Sequence, residues 1–185
     1  MILEQFLLST NETNCYVIAC NDTQEAAIID PGEWNEQLAE FLTSHELHLK
    51  SILLTHSHHD HVGGLDNIRE QFDVVVAGSS LNAMTDEHLE EGDIFDVGQL
   101  KMKVLETPGH TNDSLTFVIG CDVFCGDLMF AGSIGGTSDQ AWHDLEIQMI
   151  REKIFPLGDD MLLHPGHGPA TTVVIERLFN PLLIP

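Results

Sequence analysis

The stretch that decides the fold is Thr55-His56-Ser57-His58-His59-Asp60-His61-Val62-Gly63-Gly64. Four imidazoles and a carboxylate fall within six residues, directly after the apolar run Ile52-Leu53-Leu54. A short apolar run that ends in polar residues and then Gly-Gly reads as a strand finishing in a loop, with a helix starting after it. Neutral imidazole nitrogen and carboxylate oxygen are ligands that zinc and related divalent metals take. In extended chain, side chains two apart point the same way, so His56 and His58 can grip one ion. Asp60 and His61 lie where the chain turns and can face a second ion. The competing reading is a histidine-rich surface loop, and such loops seldom follow a buried strand in this order.

Around this stretch, 185 residues with 43% hydrophobic content fit one soluble globular domain spanning 1–185. No run is long and apolar enough to cross a membrane. The start, Met1-Ile2-Leu3-Glu4-Gln5-Phe6, lacks the basic region and apolar core of a signal peptide. Cys15, Cys20, Cys121 and Cys125 are too few for a disulfide framework, so reduced thiols and a cytoplasmic location are expected. The net charge of -23, from 30 acidic against 7 basic residues, repels nucleic acid. A small-molecule substrate is therefore expected, with neither a nucleic acid nor a membrane as partner.

In chain order, Leu3–Leu8, Cys15–Ile18 and Ala26–Ile29 read as a strand meander closed by Asp30-Pro31-Gly32. Residues 34–46 carry Trp34, Leu38, Phe41 and Leu42 at helical spacing. Lys50–Leu54 is the strand that delivers the histidine loop, followed by a helix over Leu65–Phe72 and a strand over Asp73–Ala77. A short helix is expected at Ser79–Met84 and a polar loop, with a surface His88, at Thr85–Asp93. Ile94–Val97 and Leu100–Leu105 make a hairpin around Gly98-Gln99, as do Leu115–Ile119 and Val123–Cys125 around Gly120-Cys121-Asp122. Ala131–Ser138 is a loop of small residues. A helix from Asp139, as N-cap, to Phe155 faces the core with Trp142, Leu145, Met149 and Ile150. Met161–Leu163 is the last strand and Thr171–Phe179 the last helix.

His56-Ser57-His58-His59-Asp60-His61 resembles the His-x-His-x-Asp-His signature of the metallo-β-lactamase superfamily. Three later segments resemble that superfamily's remaining ligand motifs: Thr107-Pro108-Gly109-His110-Thr111, Gly126-Asp127 and Pro165-Gly166-His167-Gly168. The resemblance implies an α+β fold, a four-layer αβ/βα sandwich, and two divalent metal ions. Zinc is expected, with iron or manganese as alternatives. Carried over position by position, His56, His58 and His110 hold one metal and Asp60, His61 and His167 the other. Asp127 bridges both, Asp30 stands behind the loop as a hydrogen-bond partner, and His164 is a neighbour rather than a ligand.

Such a pair leaves open coordination positions, the mark of a catalytic site. It can hold a hydroxide that attacks a carbonyl carbon while a metal stabilises the oxyanion. The residues assigned to catalysis are Asp127, as the bridge, and Asp60, which can also shuttle a proton. The tail after His167 resembles the short bacterial glyoxalase II-like (hydroxyacylglutathione hydrolase-like) enzymes, which lack the helical domain that binds glutathione in larger relatives. Relatives place an arginine in the loop where Gly136 stands here, which weakens the expected grip on glutathione. Thioester hydrolysis is the preferred function. The alternatives are an iron-dependent persulfide dioxygenase using His56, His110 and Asp127, and a non-catalytic metal-binding protein.

Overall fold

The computed structural model describes residues 1–184. Its first half runs β1 (Ile2–Leu7), β2 (Asn14–Ala19), β3 (Glu25–Ile29), α1 (Glu36–Ser44), β4 (His48–Leu53), α2 (His59–Val62), α3 (Leu65–Arg69), β5 (Val75–Ser79) and β6 (Glu87–Leu89). These six strands form one sheet in chain order. The second half runs β7 (Ile94–Val97), β8 (Leu100–Glu106), β9 (Leu115–Ile119), β10 (Asp122–Gly126), β11 (Met129–Phe130), β12 (Ser133–Ile134), α4 (Gln140–Met149), β13 (Leu162–Pro165), β14 (Thr171–Thr172) and α5 (Val173–Phe179). Six of its strands form the second sheet, in the order β14-β13-β10-β9-β8-β7.

The period-two alternation of a strand sorts successive side chains into different cores. On β2, Cys15, Val17 and Ala19 pack with Leu38 of α1 and Ile68 of α3. Their neighbours Tyr16 and Ile18 turn the other way, onto Phe117 and Phe124 of the second sheet. On β10, Phe124 enters that central core while Val123 and Cys125 face Ile150 and Val173 on the far side. The layers are therefore helix, sheet, sheet, helix, the αβ/βα sandwich. Among the described residues, all four cysteines are free thiols and no helix is long and apolar enough to cross a membrane.

Four local expectations are corrected. Ser79–Met84 is a series of turns, because Ser79 Oγ accepts from Leu81 N–H at 3.2 Å and Asn82 Oδ1 from Met84 N–H at 3.0 Å. Such side-chain bonds compete with helical ones. The expected polar loop 85–93 contains β6, which pairs with β5 and buries Leu89. The loop 131–138 begins inside a two-stranded hairpin, β11 with β12. Asp139 does cap α4, accepting from Ala141 and Trp142 N–H at 2.9 and 3.1 Å. Yet α4 turns the carboxylate-bearing Glu146 fully inward, while Trp142 and Leu145 are only half-buried. Beyond Met149 the helix widens and then tightens into Phe155–Leu157, where Pro156 sits.

Candidate metal centre

Two parallel strand pairs set out the site. β3 and β4 are parallel, with Ile29 opposite Leu53, so Asp30 and the loop starting at Leu54 leave the sheet side by side. β10 and β13 are parallel, with Gly126 opposite Pro165, so Asp127 and His167 also emerge together. Carboxyl ends of parallel strands are where such sheets present functional groups. The His110 turn follows β8, and Leu115 N–H donates to the Thr55 carbonyl at 2.7 Å, joining the two loop sets.

His56, His58, His110 and Asp127 bring one donor atom each within 4.8 Å of one another. His58 Nδ1 stands 3.0 Å from His56 Nε2 and 2.9 Å from His110 Nε2. The tautomers of two of these rings follow from their other nitrogens. Thr55 Oγ1 donates its single proton to Asp30 Oδ2 at 2.6 Å, so it accepts from His56 Nδ1–H at 3.0 Å. His110 Nδ1–H donates to the Gly136 carbonyl at 2.6 Å. Both Nε2 atoms therefore carry bare lone pairs, aimed with His58 at one spot. Nitrogens this close can share one cation, since a tetrahedral ion about 2.0–2.1 Å from each nitrogen would space its ligands about 3.3 Å apart. Burial holds both His56 and His110 below the usual histidine range, which keeps them neutral as ligation requires.

Asp60, His61 and His167 form a second group. Asp60 Oδ2 lies 3.3 Å from His167 Nε2 and 3.9 Å from His61 Nε2, and it accepts from the Thr13 hydroxyl at 3.1 Å. His61 is wholly buried, and its Nδ1–H donates to Asp30 Oδ2 at 2.9 Å. Burial favours its neutral form, but the Asp30 and Asp127 carboxylates outweigh this and push its pKa up to about 10. A divalent cation competes with that proton.

Asp127 stands between the groups. Its Oδ1 is 3.4 Å from His61 Nε2, and its Oδ2 is 3.5 Å from His167 Nε2 and 3.6 Å from His110 Nε2. Burial alone would raise its pKa, yet the facing rings of His167 and His61 hold it well below the usual carboxylate range. His61 Nε2 and Asp127 Oδ1 are buried without a hydrogen-bond partner. Orphaned buried polar atoms are costly, and these two face each other across the space that a metal shared by Asp127 would fill. The donor set fits a metal pair.

The fold brings all seven expected residues together. His59 and His88 are exposed and belong to neither group. His164 instead stacks on Phe124 at 4.8 Å and bonds Asp122 at 2.8 Å. Supports that the sequence did not flag lie at the start of β2. Asn14 Nδ2 donates to the Pro165 and Gly168 carbonyls at 3.0 and 2.8 Å, and Tyr16 hydroxyl to Pro165 at 2.6 Å, fixing the His167 turn. A Cβ at Gly166 would stand 2.1 Å from Asp127 Oδ1, so only glycine passes there. Glu146 was also missed. Its side chain packs against the backbone of Gly109 and Gly135 with neither carboxyl oxygen hydrogen-bonded. Burial and then the Asp127 charge push its pKa up to about 8.

The chain matches the metallo-beta-lactamase superfamily over residues 9–168, and it belongs to that family of metallo-hydrolases. It is similar to hydroxyacylglutathione hydrolase GloC of Haemophilus influenzae, at 32% identity over 99% of this chain and 98% of the relative. Among solved structures, the BLEG-1 B3 metallo-beta-lactamase is 31% identical and superimposes with a TM-score of 0.91, covering 100% of both chains. ETHE1 from Myxococcus xanthus, also 31% identical, gives 0.87 over 98% of this chain and 84% of its own.

Proposed function

We propose that residues 1–185 form one metallo-hydrolase domain that cleaves thioesters at a two-metal site. His56, His58 and His110 would hold one ion, Asp60, His61 and His167 the other, and Asp127 would serve both, with zinc the preferred metal. The observation that carries the reading is Asp127, whose two oxygens face both donor groups. Persulfide oxidation at a single iron would employ only His56, His110 and Asp127, and would leave the gathered Asp60, His61 and His167 without a role.

A metal pair held here supplies a water acidified toward neutrality and a Lewis acid for the carbonyl oxygen. The chain does the rest. Neutral His56 and His110 present fixed lone pairs, and Asp30 orients His61. Asp60, whose Oδ2 faces the second donor group, is assigned to take and return a proton. A thiolate leaves readily because of its low pKa, so little acid assistance is required. The similarity to a hydroxyacylglutathione hydrolase supports a thioester as the bond broken.

The test is metal content and turnover on protein purified without added metal. Two zinc ions per chain with thioester hydrolysis are expected. One iron with persulfide oxidation, or no metal and no turnover, overturns the reading.

A further inference from the structure

We propose that the site selects thioesters whose thiol half is neutral or cationic, and discriminates against carboxylate-bearing thiols such as glutathione. The inference rests on the thioesterase reading above and concerns the part of the substrate that the metals do not touch.

The positions of the seven basic residues carry it. Arg69 is paired with Asp86 at 2.8 Å, Lys101 with Asp96 at 2.6 Å, Lys153 with Glu91 at 2.7 Å and Arg177 with Asp159 at 2.7 Å. Arg151 is turned onto the Leu183 carbonyl at 3.1 Å. Lys50 and Lys103 are exposed on β4 and β8, six and seven residues before His56 and His110. None of the seven makes a contact in the metal centre.

Beside the turn that carries His110 is a cavity of about 210 Å³. Pro108 and Asn112, which flank the histidine, line it together with Ser80, Leu81, Ser114 and Glu106. Its groups offer a hydroxyl, an amide, an apolar side chain and a carboxylate. Lys153, which reaches the Glu106 carbonyl at 2.5 Å, is neutralised by Glu91. A thiol half bearing carboxylates finds no cation to pair with there, and it approaches against a chain of net charge -23. An ammonium or quaternary amine is drawn to Glu106, and an amide can bond Asn112 and Ser80. This departs from the substrate class in the name of the Haemophilus influenzae relative.

The experiment compares acetyl thioesters of thiocholine, N-acetylcysteamine, 3-mercaptopropionate and glutathione on the metal-loaded protein at low and high ionic strength. At low salt, kcat/KM for the cationic and neutral esters is expected to exceed that for the two anionic ones by about tenfold. Salt should shrink the gap by screening, lowering the cationic rate and raising the anionic ones. Glu106→Gln should narrow the gap further. Gly136→Arg, where an added Cβ meets nothing within 4 Å, should raise the glutathione ester selectively. If either anionic ester is the best substrate at low salt, or if salt moves all four alike, the selectivity is refuted while the thioesterase reading stands. If the loaded protein turns over no thioester of any charge, both fall.

Discussion

Asp30 Oδ2 accepts from His61 Nδ1–H at 2.9 Å, across 31 residues of chain. The contact exists because β3 and β4 are parallel and in register, so the residue after one strand meets the loop after the other. The same carboxylate accepts from the Thr55 N–H at 2.8 Å and the Thr55 hydroxyl at 2.6 Å. Through Thr55 it also sets the His56 tautomer, so one buried residue orients a donor in each half of the centre.

Asp30→Asn tests that arrangement. Asp30 has φ 53°, a left-handed conformation that asparagine tolerates, so the backbone is not strained by the change. The amide keeps the shape, but with its oxygen serving His61 and the Thr55 hydroxyl its NH2 is turned onto the Thr55 N–H that Oδ1 accepts now. Loss of such outer partners lowers metal affinity about 10- to 100-fold, to be read by competition with a chelator. An affinity equal to that of the unmodified protein would leave Asp30 with only a turn to make.

Stripping the metal should abolish activity and lower the melting temperature, because an ion bound to the folded chain alone stabilises it by mass action. The buried, unpartnered His61 Nε2 and Asp127 Oδ1 are the atoms that lose most. Chelated protein that keeps both its melting temperature and its activity would show that the donors gather for another reason.

Asp127→Ala removes the carboxylate that, alone among the described residues, faces both groups. Loss of most bound metal, or of most activity at full loading, is expected. His88→Ala, at an exposed position on β6, should change either by less than about twofold. Metal analysis with turnover decides it, and small effects of equal size from both changes would take Asp127 out of the centre.

Glu146 predicts a pH dependence of stability in the metal-free protein. Its folded pKa is raised from 4.5 to about 8, first by burial and then by Asp127. Between those values the folded chain keeps a proton that the unfolded chain has released, so stability falls as pH rises through the window. Glu146→Gln carries no such proton. Its stability relative to the parent should therefore rise from pH 5 to pH 8, by less than the about 4 kcal/mol that three pH units allow, and level off above. Urea unfolding at both pH values measures the difference. A difference independent of pH would mean that Glu146 is ionised in the fold.

Most of the framework was legible in the sequence because strands and hairpins announce themselves locally. Leu100–Leu105 after Gly98-Gln99 and Val123–Cys125 after Asp122 fell where β8 and β10 lie. The short edge strand β6 was not legible, since Glu87-His88-Leu89 has one buried side chain and gains its order from pairing with β5. Nor was Glu146, because helical spacing marks apolar residues as inward and here a carboxyl group takes that place.

By itself, the sequence determined the supply of donors: the histidines and aspartate of 56–61, and His110, Asp127 and His167 at strand ends. Ligand chemistry and the two-residue repeat of extended chain are local properties that no fold is needed to read. Only the tertiary structure decided which donors meet, which nitrogen of each ring is free and what stands behind them. Those depend on the parallel registers of β3 with β4 and of β10 with β13, which bring residues far apart in sequence to hydrogen-bonding distance.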